Sequence, residues 1–211
     1  MKPPQVSIWI TDPRFAPYLD EAGGDHQQAV ALYVWNASIS AAMFETVAHT
    51  EILLRNAIDA QFPPVNHAEH YTKTWLMTPV LSAASRARVE ESAQRVIRQG
   101  AAPTRARVAA NLSFGFWRAL FDSHYHPLWM SHLHKAFPYG TGSRHQVAAL
   151  TSRLLPFRNR ITHHETIISR SIQDRYDDLL ELARIIDPQA STWIDSISRV
   201  PEALKSCPSH S

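Results

Sequence analysis

Residues 25–62 read DHQQAVALYVWNASISAAMFETVAHTEILLRNAIDAQF, a stretch that contains neither glycine nor proline. Apolar side chains recur along it at near-helical spacing, which is typical of an α-helix. The stretch therefore predicts one long helix, or two helices joined near residues 36–40. The residues that carry the periodicity are Val30, Tyr33, Ala37, Phe44, Ala48, Leu54 and Ile58.

The rest of the chain has the same character, because it holds only six glycines and its fourteen prolines cluster between apolar-periodic segments. Such a sequence predicts an all-α fold. The predicted organisation is an N-terminal leader at 1–24 packed on a single all-α domain at 25–200, followed by a flexible tail at 201–211. Further helices are expected at 79–99 with Pro79 in the first turn, at 105–122, at 126–137, from 143 onward, at 171–187 with Ser171 as N-cap, and at 188–200.

Composition narrows the functional classes only partly. Hydrophobic residues make up 45% of the chain and charged residues 19%, and the net charge of +2 does not by itself indicate nucleic-acid binding. The basic residues are 17 arginines against 4 lysines, and the planar fork of arginine suits phosphate recognition. The single cysteine, Cys207, excludes an intrachain disulfide and favours a reducing compartment. Since no signal-peptide pattern and no window of about 18 to 20 apolar residues occurs, we expect a cytoplasmic protein without a membrane partner.

The stretch LPFRNRITHHE at 155–165 concentrates polar and titratable side chains next to a proline. Pro156 either kinks a helix or starts a new one. If it starts one, Arg158 and Asn159 lie near a helix N-terminus, where free N–H groups and the dipole favour an anion. Asn159 and His163 are four residues apart and share a helix face, and Arg158 is long enough to reach the same point.

These groups suit metal-independent cleavage of RNA. An imidazole with a pKa near about 6.5 can accept the proton of the 2′-hydroxyl or protonate the leaving 5′-oxygen. Arginine can stabilise the additional charge on the transition state. Because the attacking oxygen belongs to the substrate, the expected products are a 2′,3′-cyclic phosphate and a 5′-hydroxyl, and DNA should resist.

Other interpretations of the same residues stay open. The stretch also fits a solvated polar helix face whose histidines bond to local backbone. A metal site is not expected, because neighbouring helical residues diverge and no HExxH or paired Cys/His spacing occurs. A nucleophilic role for Cys207 is not expected either, since no base is positioned nearby in sequence. The histidines and glutamate weighed as metal ligands are His163, His164 and Glu165, together with the pairs His124/His126 and His132/His134.

Three segments together resemble the HEPN superfamily of helical ribonucleases, in the form seen in bacterial Abi-like (abortive-infection) proteins. LLPFRNRITHHE at 154–165 resembles the Arg-Asn-x-x-x-His motif of that family. NLSFGFWRALF at 111–121 is similar to its aromatic Phe-Gly-x-Trp helix, and FETVAHTEILLRNAI at 44–58 to the upstream helix that ends in Leu-Arg-Asn. The segments occur in the family's order.

The resemblance implies a HEPN-like helical bundle with additional helices that forms a homodimer and cuts RNA in a shared cleft. It implies that Arg158 binds phosphate, that His163 is the catalytic histidine and that Asn159 orients them, with no metal or cofactor. An acidic residue of the upstream helix would join the site, as Glu51 or Glu45. Glu51 equally fits an intrahelical ion pair with Arg55.

Further expectations concern the surroundings of this site. His164 is either a second proton-transfer group or a surface residue. Phe114, Trp117 and Phe121 are expected in the core, with Gly115 permitting close helix approach. A stretch of arginines either binds RNA through phosphate contacts or forms a solvent-exposed surface of the protein. Its members are Arg86, Arg88, Arg95, Arg98, Arg105 and Arg107.

The sequence therefore predicts a metal-independent endoribonuclease in a phage-defence or toxin setting. An antitoxin or a phage-derived trigger is an expected further partner. The alternative is a non-catalytic helical module that binds RNA or a protein through the same dimer surface.

Overall fold

The computed structural model describes residues 9–64, 69–168 and 171–208, and within these ranges the protein is all-helical, with no strand. The predicted all-α class is therefore confirmed. Short 3-10 turns at Tyr71–Lys73, Trp75–Met77, Ser123–Tyr125 and Leu133–Ala136 connect some of the helices. The α-helices are α1 (Asp12–Glu21), α2 (His26–Asp59), α3 (Ala83–Arg98), α4 (Arg105–Ala110), α5 (Phe114–Ala119), α6 (His126–Ser131), α7 (Arg144–Thr162), α8 (Ile172–Ile186), α9 (Pro188–Ile197) and α10 (Val200–Lys205).

The long stretch that predicts the fold is a single helix, α2, which runs unbroken through residues 36–40. Its first turn is capped by the Asp25 carboxylate, which accepts hydrogen bonds from the backbone N–H groups of Gln27 and Gln28 at 2.8 and 3.1 Å. Helices α1, α7, α8 and α10 all pack against α2. The central position of α2 explains why its sequence dominates the prediction of the fold.

The face of α2 that packs into the protein differs from the face marked by the sequence periodicity. Leu54 and Ile58 are fully buried, as the pattern suggests, but Phe44 is 46% exposed and Ala37 is exposed. The buried face is formed instead by Ala29, Leu32, Trp35, Ile39, Met43 and Val47. Both sides of α2 are rich in apolar residues, so their spacing alone could not distinguish the inner side from the outer one.

The outer side of α2 carries a row of apolar residues spaced three or four apart, which we call the α2 stripe. Val34 is 61% exposed and Ile52 is 46% exposed. Small side chains between them would allow another helix to approach closely. The stripe consists of Val34, Ala37, Ala41, Phe44, Ala48 and Ile52.

Several predicted helix boundaries were wrong for local reasons. Helix α3 begins at Ala83 rather than at Pro79, because the Ser82 hydroxyl caps it by accepting from the Ser85 N–H at 3.1 Å. The helix predicted at 105–122 is divided into α4 and α5 by a turn at residues 111–113. The segment at 126–137 is helical only to Ser131 and continues as a 3-10 turn.

Both ends of the described part of the chain contain helices. The leader contains α1, whose Phe15 and Tyr18 pack with Ala29 and Leu32 of α2. The tail continues past residue 201 as α10, and the Trp35 indole N–H donates to the Ala203 carbonyl at 2.7 Å. The prediction of a flexible tail was therefore wrong for residues 201–205, which are helical. Residues 1–8 and 209–211 lie outside the described part. Ser171 precedes α8 as predicted but makes no side-chain capping bond.

The centre of the protein is aromatic. Phe114, Trp117 and Phe121 are at most 1% exposed, which confirms the predicted core role of these side chains. Gly115 is not needed for a close approach, since a Cβ built there would lie 3.7 Å from Leu155 Cδ1, an ordinary contact distance. In the part of the chain that the structure describes, no helix is long and apolar enough to cross a membrane.

Candidate functional site

Helix α7 runs through Pro156 and ends only at Thr162. Arg158 and Asn159 therefore lie in its last turns, which excludes the alternative in which Pro156 starts a helix and places them near its N-terminus. Since the C-terminal end of a helix dipole favours cations, the backbone of α7 gives no help in holding an anion here. Binding of a phosphate at this place depends on the Arg158 side chain.

The end of α7 turns sharply at His164, which has a φ of 55°. The His164 N–H donates to the Ile161 carbonyl at 3.1 Å, and the Glu165 N–H donates to the Arg160 carbonyl at 2.8 Å. These two bonds define a Schellman motif, in which glycine is the usual residue at the left-handed position. Histidine occupies that position here, so the backbone carries a strain that a glycine would not.

Arg158 faces Glu51 of α2, with its Nε 3.5 Å from the Glu51 Oε2. The two side chains are 25% and 19% exposed. The contact is electrostatic rather than a well-aligned hydrogen bond, because the buried Nε has no partner in hydrogen-bonding geometry within the described residues. The guanidinium otherwise makes one long hydrogen bond, from Nη1 to the Thr162 hydroxyl at 3.4 Å. Arg158 thus keeps unused donors at the protein surface.

Glu51 connects the three segments that carry the family resemblance. It belongs to the first segment, feels the backbone N–H of Phe114 in the second, which acts to lower its pKa, and pairs with Arg158 in the third. Burial raises the pKa of the Glu51 carboxyl above its usual value, while the positive charge of Arg158 acts in the opposite direction. The carboxylate is therefore partly desolvated and is held at the junction of α2, α5 and α7.

The two acidic residues of α2 have different surroundings. Glu45 pairs with Arg199 at 2.5 Å on an exposed surface, and this contact lowers the pKa of the Glu45 carboxyl. Glu51, and not Glu45, lies beside Arg158. The expected ion pair of Glu51 with Arg55 does not form within 4 Å, since Arg55 instead donates to Asn56 Oδ1 at 3.3 Å and to the Ala110 carbonyl at 3.5 Å.

His163 is the C-cap residue of α7, and its side chain is exposed. Within the described residues, neither its ring nor the exposed side-chain amide of Asn159 has a hydrogen-bond partner. Asn159 therefore does not orient Arg158 or His163 through side-chain hydrogen bonds in this structure. The predicted trio shares the last turns of one helix, but only Arg158 is held by another element.

Arg160 and His164 lie on a different side of this turn, where they line a pocket formed with α1 and α2. Arg160 also forms an ion pair with Glu165 at 3.2 Å. The pocket is a feature that sequence reasoning missed, because its walls come from helices far apart in the chain. Among the described residues that line the pocket, the local feature that marks it is His164, a non-glycine residue with positive φ at the end of α7.

The predicted RNA-contacting arginines are used in different ways. Arg105 is 6% exposed and donates to Asp59 and Pro63, so the structure places it in the interior instead of on an RNA-contacting face. Arg95 binds Glu91 at 2.8 Å and the Asn111 carbonyl at 3.0 Å. Arg86 and Arg107 donate to the carbonyls of Leu81 and Ala102, while Arg88 and Arg98 are exposed.

Across residues 9–64, 69–168 and 171–208, no three His, Cys, Asp or Glu side chains are grouped so that they could hold a metal ion. Comparisons with protein-family models, with curated proteins and with solved structures find no match to this chain. The HEPN and Abi-like resemblance therefore stays a prediction from sequence.

Proposed function

We propose that this chain is a metal-independent endoribonuclease of the Abi-like HEPN type, acting in phage defence or as a toxin. The observation that carries the proposal is the meeting of the three family-like segments at Glu51, beside an arginine with unused donors. Arg158 Nε lies 3.5 Å from this carboxylate, and the backbone N–H of Phe114 acts to lower its pKa. An arginine that was only structural would use its donors within the protein.

The proposed reaction assigns one step to each side chain. The 2′-oxygen of the substrate attacks the adjacent phosphorus, and the bond from phosphorus to the 5′-oxygen breaks. His163 either accepts the proton of the 2′-hydroxyl, with water protonating the leaving 5′-oxygen, or donates a proton to the 5′-oxygen, with water accepting the 2′-proton. Arg158 stabilises the charge that develops on the phosphoryl oxygens. Glu51 positions Arg158 and does not touch the substrate.

The proposed active form is a homodimer that associates through the α2 stripe. Exposed Val34, Phe44 and Ile52 give this face an apolar surface, and such a surface favours association with another apolar surface.

The catalytic assignment is tested with purified full-length chain in EDTA, on single-stranded and structured RNA, with 2′-O-methyl RNA and DNA as non-cleavable controls. We expect products with 2′,3′-cyclic phosphate ends. Arg158→Ala and His163→Ala should each reduce the rate by about 100-fold or more. His145→Ala, which removes another exposed histidine of α7, is the matched control and should keep the full rate.

A cleavage rate that is unaffected by Arg158→Ala and His163→Ala would exclude this site. Stable RNA or protein capture without products, and without an effect of His163→Ala, would instead support the non-catalytic binding module. The exposed apolar stripe is the observation that favours this second function.

The dimer is tested separately by analytical ultracentrifugation. Val34→Glu places a charge in the α2 stripe and should shift the chain toward monomer. Ile97→Glu is a matched control, because Ile97 is 47% exposed but lies on α3. Equal sedimentation of both variants and the parent chain would exclude the stripe as the interface.

A further inference from the structure

A pocket of about 740 Å³ lies between α1, the first half of α2 and the turn that ends α7. Its volume is in the range of about 300 to 1,000 Å³ that is common for small-molecule sites. Helix α1 contributes Arg14 and Tyr18, and the α7 turn contributes Arg160 and His164. The α2 wall consists of Tyr33, Asn36, Ala37, Ser40, Ala41 and Phe44.

The charges around this pocket favour an anion. Arg14 and Arg160 are cationic, and Glu165 is the only acidic residue among those that line the pocket. Arg160 is paired with Glu165 at 3.2 Å, and among the described residues Arg14 has no carboxylate within ion-pair distance. Arg14 is exposed, and its hydrogen bond to a described residue is long, from Nη1 to the His164 carbonyl at 3.4 Å. Its guanidinium therefore has donors free for a ligand.

The deeper wall offers hydrogen bonds at fixed positions. The Ser40 Oγ is buried and has no hydrogen-bond partner within the described residues. Next to it in the wall, the Asn36 side chain is held in place by the Ile167 N–H, which donates to Asn36 Oδ1 at 2.9 Å. A buried hydroxyl without a partner is costly. Because the Ser40 Oγ has almost no exposed surface, a ligand hydroxyl meets it after the Ser40 side chain rotates toward the pocket.

The same wall provides aromatic surface. Phe44 is 46% exposed. Tyr33 makes an edge contact with Tyr18, with 5.3 Å between the ring centroids. This edge contact fixes the Tyr33 ring on the α2 wall, where a planar ligand can pack against it. A suitable ligand therefore combines a planar ring, hydroxyl groups and one negatively charged group.

We propose that this pocket binds a nucleotide unit, with its phosphate at Arg14 and His164, its sugar toward Ser40 and its base against Tyr33 and Phe44. The same chemistry has two sources, a free mononucleotide or one nucleotide of a longer strand. Neither source requires that the chain cleaves RNA. Ala37, Ala41 and Phe44 belong both to the pocket wall and to the α2 stripe, so nucleotide binding and association through the stripe compete for these side chains.

The test is isothermal titration calorimetry of the full-length chain with adenosine 5′-monophosphate. We expect a Kd on the order of 10 to 100 µM for a ligand of this size. Adenosine lacks the charge and inorganic phosphate lacks the ring, so each should bind at least about tenfold more weakly. The deoxydinucleotide pd(ApA), which has no 2′-hydroxyl, distinguishes the sources. Tighter binding of pd(ApA) than of the mononucleotide supports a strand, and the reverse order supports the free nucleotide.

Substitutions then locate the binding site. Arg14→Gln removes an exposed charge and should weaken binding of the mononucleotide by about tenfold. Ser40→Ala should weaken it by about threefold. Lys135→Gln removes an exposed charge on a 3-10 turn outside the pocket and should bind like the parent chain. Absence of binding at millimolar mononucleotide, or full affinity in Arg14→Gln, overturns the proposal. If His163→Ala binds the mononucleotide normally, the nucleotide pocket is independent of the proposed cleavage site, and a failure of one proposal can be told from a failure of the other.

Discussion

Arg105 and Arg158 are arginines of one chain whose guanidinium groups have different surroundings. Arg105 is 6% exposed and joins the end of α2 to the following loop. It donates from Nε to Asp59 Oδ1 at 2.8 Å and from Nη1 to the Pro63 carbonyl at 2.7 Å, and also to the Asp59 carbonyl. Arg158 lies 3.5 Å from its carboxylate and keeps donors unused. Arg105 uses its guanidinium N–H donors within the protein and stabilises the fold. Arg158 leaves N–H donors unused, and these are available to a ligand.

The largest effect is expected from Arg105→Ala. This change leaves the Asp59 carboxylate and two carbonyls without their donor, although the Trp75 indole N–H still donates to Asp59 at 2.7 Å. Breaking a buried ion pair by removing one partner costs about 3 to 5 kcal/mol. Urea unfolding followed by circular dichroism should show a loss of this size.

Arg158→Ala is the matched comparison in the same assay. Its loss should stay below about 1 kcal/mol, because the ion pair is long and partly exposed, and because Glu51 can take up a proton when its cation is removed. Equal losses for the two variants would contradict the division of roles between these arginines.

The second prediction concerns Glu51 and pH. Burial raises the pKa of this carboxyl in the folded protein above the ordinary value of 4.5. The folded state then binds more protons than the unfolded state just above pH 4.5, so this carboxyl makes the free energy of unfolding fall as pH rises through that interval. Glu51→Gln cannot titrate and should lack this fall. The difference between Glu51→Gln and the parent chain should therefore grow in favour of the variant as pH rises.

Urea unfolding at a series of pH values from about 4 to 7 measures this difference. Glu45→Gln is the matched control, since contact with Arg199 lowers rather than raises the pKa of the Glu45 carboxyl. A difference for Glu51→Gln that is constant with pH, or that moves in favour of the parent chain, would show that the charge of Arg158 outweighs burial.

The third prediction tests the strained turn at the end of α7. His164 has a φ of 55°, a conformation that glycine adopts without a steric penalty. His164→Gly should therefore raise the free energy of unfolding by about 1 kcal/mol. His164→Ala removes the same imidazole but keeps a Cβ, so it should give no such gain. Thermal unfolding of the two variants separates the backbone effect from any loss of side-chain contacts.

The elements of the fold were predictable where local signals were strong. A long stretch free of glycine and proline predicted α2, and the apolar repeat at 171–187 predicted α8, which spans Ile172–Ile186. Chain breaks at 111–113 and 131–133 were not predictable, because short helices depend on tertiary packing more than on propensity. The helices α1 and α10 near the two ends of the chain were not predicted for the same reason, since Phe15, Tyr18 and Ala203 are buried only in the assembled fold.

Pro156 shows why the candidate site was predicted only in part. A proline inside a helix removes a backbone donor and costs about 3 kcal/mol, so a helix start was a reasonable expectation. Leu154, Phe157 and Ile161 are at most 5% exposed, and burial of each contributes about 1.5 to 3 kcal/mol. Together these side chains outweigh the cost of the proline and keep α7 continuous. Arg158, Asn159 and His163 therefore share the C-terminal end of a helix, where the dipole favours cations, and not the N-terminus that a helix start at Pro156 would have given them.

The smallest effect is expected at Gly115 in α5. Gly115 is the glycine of the segment that resembles the Phe-Gly-x-Trp helix of the HEPN superfamily. A Cβ added there would nevertheless lie 3.7 Å from both Leu155 Cδ1 and Ser113 Oγ, an ordinary contact distance. Gly115→Ala should raise the free energy of unfolding by about 0.5 to 1 kcal/mol, because alanine loses less backbone freedom on folding into a helix. Thermal unfolding measures this change, and RNA cleavage should remain at the parent rate because the new methyl group faces Leu155 and not Glu51. A destabilised variant would instead mean that α5 and α7 cannot move apart to accommodate a methyl group. The packing of these two helices would then fix the position of the Phe114 backbone near Glu51.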